Sequence, residues 1–206
     1  MKVTKEKTTM PTLDSQDSFC KCTVRGTVVS KIRTKTTLIF IVASRSSPTN
    51  AANDYLRFIA STNIAELDAS FAVGDRVTVL AYIRTSKKYP NGSLVPISVK
   101  REFNRTEAAF AQEAFLGDVN EVIISGIVSA EPYTPNDNVS LISIQVTNPD
   151  GRSSYLRTIS FGRVAQKTKS LTTGDAIEAL AYVRTQSLKE TKDPNKIQSI
   201  VLLGLR

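Results

Sequence analysis

The chain has 206 residues, 41% of them hydrophobic, a formal charge of +8 and no histidine. That size and apolar content support a buried core in one large domain or two of about 100 residues, and exclude a chain disordered throughout. No apolar run is long enough to span a bilayer, and the polar N-terminus carries no leader signature, so a soluble cytoplasmic protein with no membrane partner is expected.

The missing histidine removes the side chain on which acid–base and nucleophilic sites most often depend. No glycine-rich phosphate loop, GxSxG elbow or paired-acid motif stands in for it. The expectation is a protein that is not an enzyme and needs no cofactor. Cys20 and Cys22 stand alone, with no second pair and no histidine. Two thiols at i and i+2 make neither a disulfide framework nor a zinc site, so no metal is expected. They read as small apolar residues on a strand. The basic balance, with a pI near 9.6, suits a polyanionic partner.

Residues 1–18 are polar and expected to be disordered. Residues 22–29 alternate and are rich in β-branched side chains, broken by Gly26, which predicts a strand with a bulge or sharp bend. Residues 37–43 and 55–61 predict a second and a third strand. Residues 64–72 (IAELDASFA) have helical spacing, with Asn63 as N-cap. Gly74-Asp75 turns the chain into a fourth strand, 76–85. Asn91-Gly92 turns it back into a fifth, 94–103. Residues 104–119 favour a helical linker, capped by Thr106 and ended by Gly117. Its Phe110, Ala114 and Phe115, together with Phe103, are expected to pack it onto a neighbouring domain.

From residue 120 the pattern starts again. Residues 74–85 (GDRVTVLAYIRT) and 174–185 (GDAIEALAYVRT) share Gly-Asp, Leu-Ala-Tyr and Arg-Thr in the same places. Gly26 answers Gly126, and Tyr55-Leu56-Arg57 answers Tyr155-Leu156-Arg157. The stretch 38–42 (LIFIV) aligns with 141–145 (LISIQ) at an offset of 103. Each copy reads as three strands, a helix and two strands, the element order of the OB-fold, a five-stranded Greek-key barrel. The expected fold is all-β with one short helix per domain: two tandem OB-fold barrels, 19–103 and 120–206, joined by the linker 104–119.

Copy two opens with NEVIISGIVSAEP at 120–132 and continues with YLRTISFGRVAQKTKSLTTGDAIEALAYVRT at 155–185. Copy one keeps Tyr55, Arg57, Gly74, Arg84 and Thr85, then carries KKYPNG at 87–92. This distributed pattern resembles the bacterial, phage and mitochondrial single-stranded DNA-binding proteins over most of both copies. The resemblance implies binding of single-stranded DNA largely without sequence preference, protecting it during replication, recombination or repair. It also implies four OB domains per assembly, hence a homodimer of two-domain chains. The copies depart from the pattern in complementary ways. Ser61 stands in copy one where Phe161 would stack a base, and Leu188 stands in copy two where Tyr89 would. The chain has no tryptophan and ends in QSIVLLGLR rather than in the family's acidic tail, so partner recruitment through such a tail is not expected.

Single-strand binding needs flat apolar faces for bases and cations for phosphates. Tyr55 and Arg57 share a strand face, while Leu56 and Phe58 point to the core. A Tyr–Arg pair that only supports the sheet would look the same in one copy. Its recurrence as Tyr155 and Arg157 favours binding. Arg84 and Arg184 close the fourth strands. Lys87, Lys88 and Tyr89 extend from the first of them as a basic-aromatic arm, and Phe161 with Arg163 completes the set. Tyr82, Tyr182 and Phe40 are expected in the core. Residues 19–103 hold 13 basic and 5 acidic side chains, against 10 and 8 in 120–206, so copy one is expected to be the stronger electrostatic partner. Two other classes fit the same fold: an interaction or scaffold protein of a replication or restart complex, and an RNA-binding OB protein, since stacking does not distinguish the sugars. An OB-fold nuclease is disfavoured by the missing histidine and acid motif.

Overall fold

A computed structural model of the chain describes residues 18–44, 53–103, 117–185 and 197–206. The first half contains β1 (Phe19–Arg33), β2 (Leu38–Ser44), β3 (Asp54–Ala60), α1 (Ile64–Ser70), β4 (Arg76–Arg84) and β5 (Ser93–Phe103). The second contains β6 (Val119–Asn136), β7 (Val139–Thr147), β8 (Ser153–Phe161), α2 (Gly162–Thr168), β9 (Ala176–Thr185) and β10 (Ile197–Leu205). Residues 1–17 of the N-terminal tail, residues 104–116 of the expected linker helix with Phe110 and Phe115, the side chain of Phe103, and Leu188 lie outside the described residues. Ser18 is placed, its hydroxyl accepting from the Thr147 N–H at 3.3 Å, and Val119 opens β6 instead of ending a linker.

Each half closes on itself. β1 pairs with both β2 and β4, β2 pairs with β3, β4 pairs with β5, and a parallel contact at Phe58 and Leu94 joins β3 to β5. β6 to β10 repeat the circuit, closed by a parallel ladder between β8 and β10. The fold is all-β, with OB-type five-stranded closure in each half. Alternate residues fill the interiors: Val24, Phe40, Leu56, Phe58 and Val79 in one, Ile124, Ile144, Leu156 and Ala179 in the other, all buried. Phe40 stacks on Phe58 at 4.9 Å between centroids and meets Phe71 at 4.8 Å. Cys20 and Cys22 are buried in the same core. Burial pushes the Cys22 thiol up, with the hydrogen bond to Cys20 adding to it.

The repeated glycines have distinct reasons. A Cβ on Gly26 would collide with the carbonyl of Ala43, and one on Gly126 with that of Gln145. These are the points where β1 and β6 pass from one partner strand to the other. Gly74 and Gly174 have φ of 95° and 97°, a region that disfavours a Cβ. Asp75 and Asp175 then fold their carboxylates back onto the N–H of Ala72 and Thr172, at 2.8 and 2.7 Å. The Gly-Asp pair that opens each repeated stretch is thus a turn device.

Two sequence expectations change. Ile39 faces Ile59 and Leu141 faces Ile159, so β2 and β7 correspond at an offset of 102, not 103. Burial decides it: at 103 the buried Leu38 would match the exposed Leu141, because a one-residue slip exchanges the faces of a strand. Asn63 precedes α1 but adopts φ 50° and makes no side-chain cap bond. The helix holds on through the backbone bond from the Leu67 N–H to the Asn63 carbonyl, 3.0 Å.

The two halves join edge to edge. β1 and β6 pair antiparallel from Phe19–Ser125 to Arg25–Val119, giving one continuous sheet of ten strands. Charged groups reinforce the seam: Arg76 forms an ion pair with Asp118 at 2.8 Å and lies 3.6 Å from Glu102, which also pairs with Arg25 at 2.9 Å.

Candidate nucleic-acid interface

On β8 the side chains alternate cleanly. Ser154, Leu156, Thr158 and Ser160 are buried, while Tyr155, Arg157 and Phe161 stand on the opposite face. Tyr155 is 51% and Phe161 48% exposed, large for aromatic side chains on a sheet. Gly162, with φ 55°, lets the chain turn from Phe161 directly into α2 and places Arg163 in its first turn. β8 therefore presents ring, cation and ring in sequence, with a second cation just past the end.

On β3 the alternation is the same, with Leu56 and Phe58 buried and Tyr55 and Arg57 outward. The copy-one ring set differs. Tyr89 lies against this face: the Arg57 guanidinium is 5.9 Å from its ring centroid and the Lys88 ammonium 5.4 Å. Both are cation–π distances. The hairpin that carries Tyr89 is no extended arm. Ser86 and Tyr89 exchange two backbone bonds of 3.1 Å, and the Gly92 N–H returns to the Tyr89 carbonyl at 3.0 Å. Arg84, Lys87 and Lys88 are exposed around it, and Arg184 is exposed on β9.

The two faces are tied to each other across the seam. The Tyr155 N–H donates to the Thr85 hydroxyl at 3.1 Å, and the Tyr55 N–H to the Thr185 hydroxyl at 3.0 Å. In return the Thr85 N–H reaches Ser154 at 3.2 Å and the Thr185 N–H reaches Asp54 at 3.2 Å. The threonines of the repeated Arg-Thr ends are thus crossed latches, each bonded to the tyrosine strand of the other half. Asn120 strengthens one side, clasping the Val183 backbone with bonds of 2.7 and 3.1 Å.

Of the two tyrosines expected in the core, Tyr82 is buried and Tyr182 is only half-buried. Tyr82 nevertheless points away from the barrel interior, because its neighbours Ala81 and Ile83 take the inward positions. Tyr182 lies on the same outer face of the seam sheet. The charge excess of copy one is also less available than its count suggests. Lys31, Arg33, Arg25, Arg76 and Arg101 are in ion pairs with Asp68, Glu102, Asp118 or Asp75. The sequence reading overlooked Tyr133, at 67% the most exposed of the large apolar side chains described. Its signal was an aromatic between Pro132 and Pro135 just before a turn.

By sequence the chain matches no protein-family model and no curated protein. By structure it superposes on the wild-type single-stranded DNA binding protein from Thermus aquaticus. The TM-score is 0.66, with 14% identity over 92% of both chains. A deletion mutant of that protein gives 0.65 and 14%, over 92% of this chain and 94% of the other. The chain has the fold of that protein. Nearly full coverage of both chains extends the likeness to the paired arrangement of the two barrels. Among the described residues no helix is long and apolar enough to cross a membrane.

Proposed function

We propose that the chain binds single-stranded DNA with little sequence preference, shielding it during replication, recombination or repair. The observation that carries this reading is the outward row Tyr155, Arg157, Phe161 above a buried row on β8. Such a face offers ring surfaces to bases and a guanidinium to the phosphate between them. Arg57, Lys88 and Tyr89 form the second half of the same path, with Tyr55, Arg84, Lys87, Arg163 and Arg184 along it. The crossed threonine latches make the path continuous across the seam. No reaction and no cofactor enters this role.

Two chains then pair through the outer face of the seam sheet, where Leu80, Ile123 and Leu180 lie near the exposed Ile97 and Leu203, with Lys21, Thr23 and Glu121 between them. Burying these apolar side chains is the driving force for a homodimer of four barrels.

Titration of fluorescent oligo-dT, duplex DNA of equal length and oligo-U tests the reading. Oligo-dT is expected to bind at least about tenfold tighter than duplex, whose bases already stack on each other and cannot reach the rings. Equal affinity for both DNAs would replace it with general polyanion binding. Tighter binding of oligo-U would assign the face to RNA.

A further inference from the structure

We propose that Tyr133 is a further base-stacking residue, which widens the second barrel's face from β8 across β7 onto β6; this rests on the single-strand reading above. Tyr133 pairs opposite Leu141, which pairs opposite Ile159. Asn136 and Phe161 likewise flank Val139. The ring is therefore two strands, about 10 Å, from the row that carries Tyr155 and Phe161. The space between is apolar: Leu141 is itself 38% exposed.

The strand is shaped to present this ring. β6 leaves β9 at Ile127, and beyond that point it pairs with β7 alone. Three register shifts follow, between Val128 and Asn136. Such irregularities bend an edge and re-aim side chains. Pro132 and Pro135 flank the ring at positions where an edge strand has no partner to serve.

The charge around the face suits a polyanion. Arg157 stands opposite Ser143 on the same ladder, and Arg163 follows Phe161. The neighbouring acids are engaged: Glu131 accepts from the Thr173 N–H at 3.1 Å, and Asp137 is paired with Lys169 at 3.1 Å. Copy one has no such ring. At the corresponding place β1 carries Ile32, opposite Ile39. The second barrel is thus the broader stacking surface.

The absence of tryptophan makes the test direct. Tyr133→Trp and Phe161→Trp each introduce a single reporter. Saturating oligo-dT is expected to quench both, and Tyr133→Ala is expected to weaken oligo-dT binding about 5- to 150-fold, while Tyr133→Phe retains it. Quenching at 161 but not at 133, with unchanged affinity for Tyr133→Ala, would overturn the proposal and leave the single-strand reading standing. Quenching at neither, with no oligo-dT binding by wild type, would overturn both. A change in the mass of the DNA-free protein on Tyr133→Ala would assign the ring to a protein contact instead.

Discussion

Cys22 pairs with Val122, its own counterpart one hundred residues on, and the ladder joining the barrels is centred on that pair. Every other pair in the ladder is matched by its mirror, Phe19 with Ser125 at one end and Arg25 with Val119 at the other. The two halves therefore meet as the subunits of a two-fold dimer do, with the same patch used on both sides. The threonine latches obey the same symmetry. Asp54 and Asn120 break it, since their counterparts are Ser154 and Cys20. One chain thus holds a symmetric architecture with two unequal faces.

The latches should carry unequal shares of stability. Thr85→Val and Thr185→Val each remove a hydroxyl acceptor while keeping the shape. The Thr185–Tyr55 bond is part-buried and the Thr85–Tyr155 bond exposed. Urea unfolding should show a loss of about 0.5–1.5 kcal/mol for Thr185→Val and a smaller one for Thr85→Val. Equal losses would mean that the difference in burial between the two bonds carries no weight in stability.

Gly26→Ala and Gly126→Ala should both be damaging although they add a single methyl group. The obstacle is backbone, the carbonyls of Ala43 and Gln145, which cannot rotate aside as a side chain can. About 1–3 kcal/mol of destabilisation is expected for each. Gly204→Ala serves as the control, because nothing lies within 4 Å of a Cβ there. Differential scanning calorimetry on the three variants checks the order.

Around Tyr89, charge and stacking should separate by their salt dependence. Lys87→Ala with Lys88→Ala should reduce the slope of log affinity against log salt by about 0.7 per lost phosphate contact. Tyr89→Ala should cost about 1–3 kcal/mol of affinity with the slope nearly unchanged. Lys88 leans on the Tyr89 ring, so the combined variant should fall short of the sum of the two. Full additivity would place the lysine and the ring in separate contacts.

Asp68 gives the fold a pH-dependent anchor. Hydrogen bonds from Lys31 and Arg33 hold its carboxyl below the usual carboxylate range. A carboxyl with a depressed pKa stabilises the fold fully above its unfolded value, about 3.9, and loses that contribution as pH falls through the folded value. The difference in Tm between wild type and Asp68→Asn should therefore be constant at neutral pH and shrink below about pH 4. A gap that grows on acidification would contradict the assignment.

Assembly should respond to the outer sheet face. Light scattering should report twice the 22.5 kDa chain mass. Ile97→Glu with Leu203→Glu should return it to one chain mass, since burying two unpaired carboxylates is prohibitive. A wild-type monomer would remove the four-barrel proposal and leave DNA binding untouched.

Local pattern in the sequence determined the elements and which side chains of the proposed face point outward. Alternation in 54–60 and 153–161 put Tyr55, Arg57, Tyr155, Arg157 and Phe161 on the outward side, because neighbouring side chains on a strand must take opposite faces. The Gly-Asp turns and the order of strands and helix were equally legible, since they depend on residues near each other in the chain. Register was not: the offset of 102 between β2 and β7 follows from which residues lie across the ladder, and no repeat of similar letters specifies that. Nor could local pattern show that Tyr82 faces out of the barrel. That Tyr89 folds onto Arg57, and that five basic side chains of the first half are tied up in ion pairs, were equally out of reach. The latches are the extreme case. Thr185 meets Tyr55 across 130 positions, and such a contact exists only once two closed barrels have docked, because it depends on the angle between them rather than on any segment's own preference.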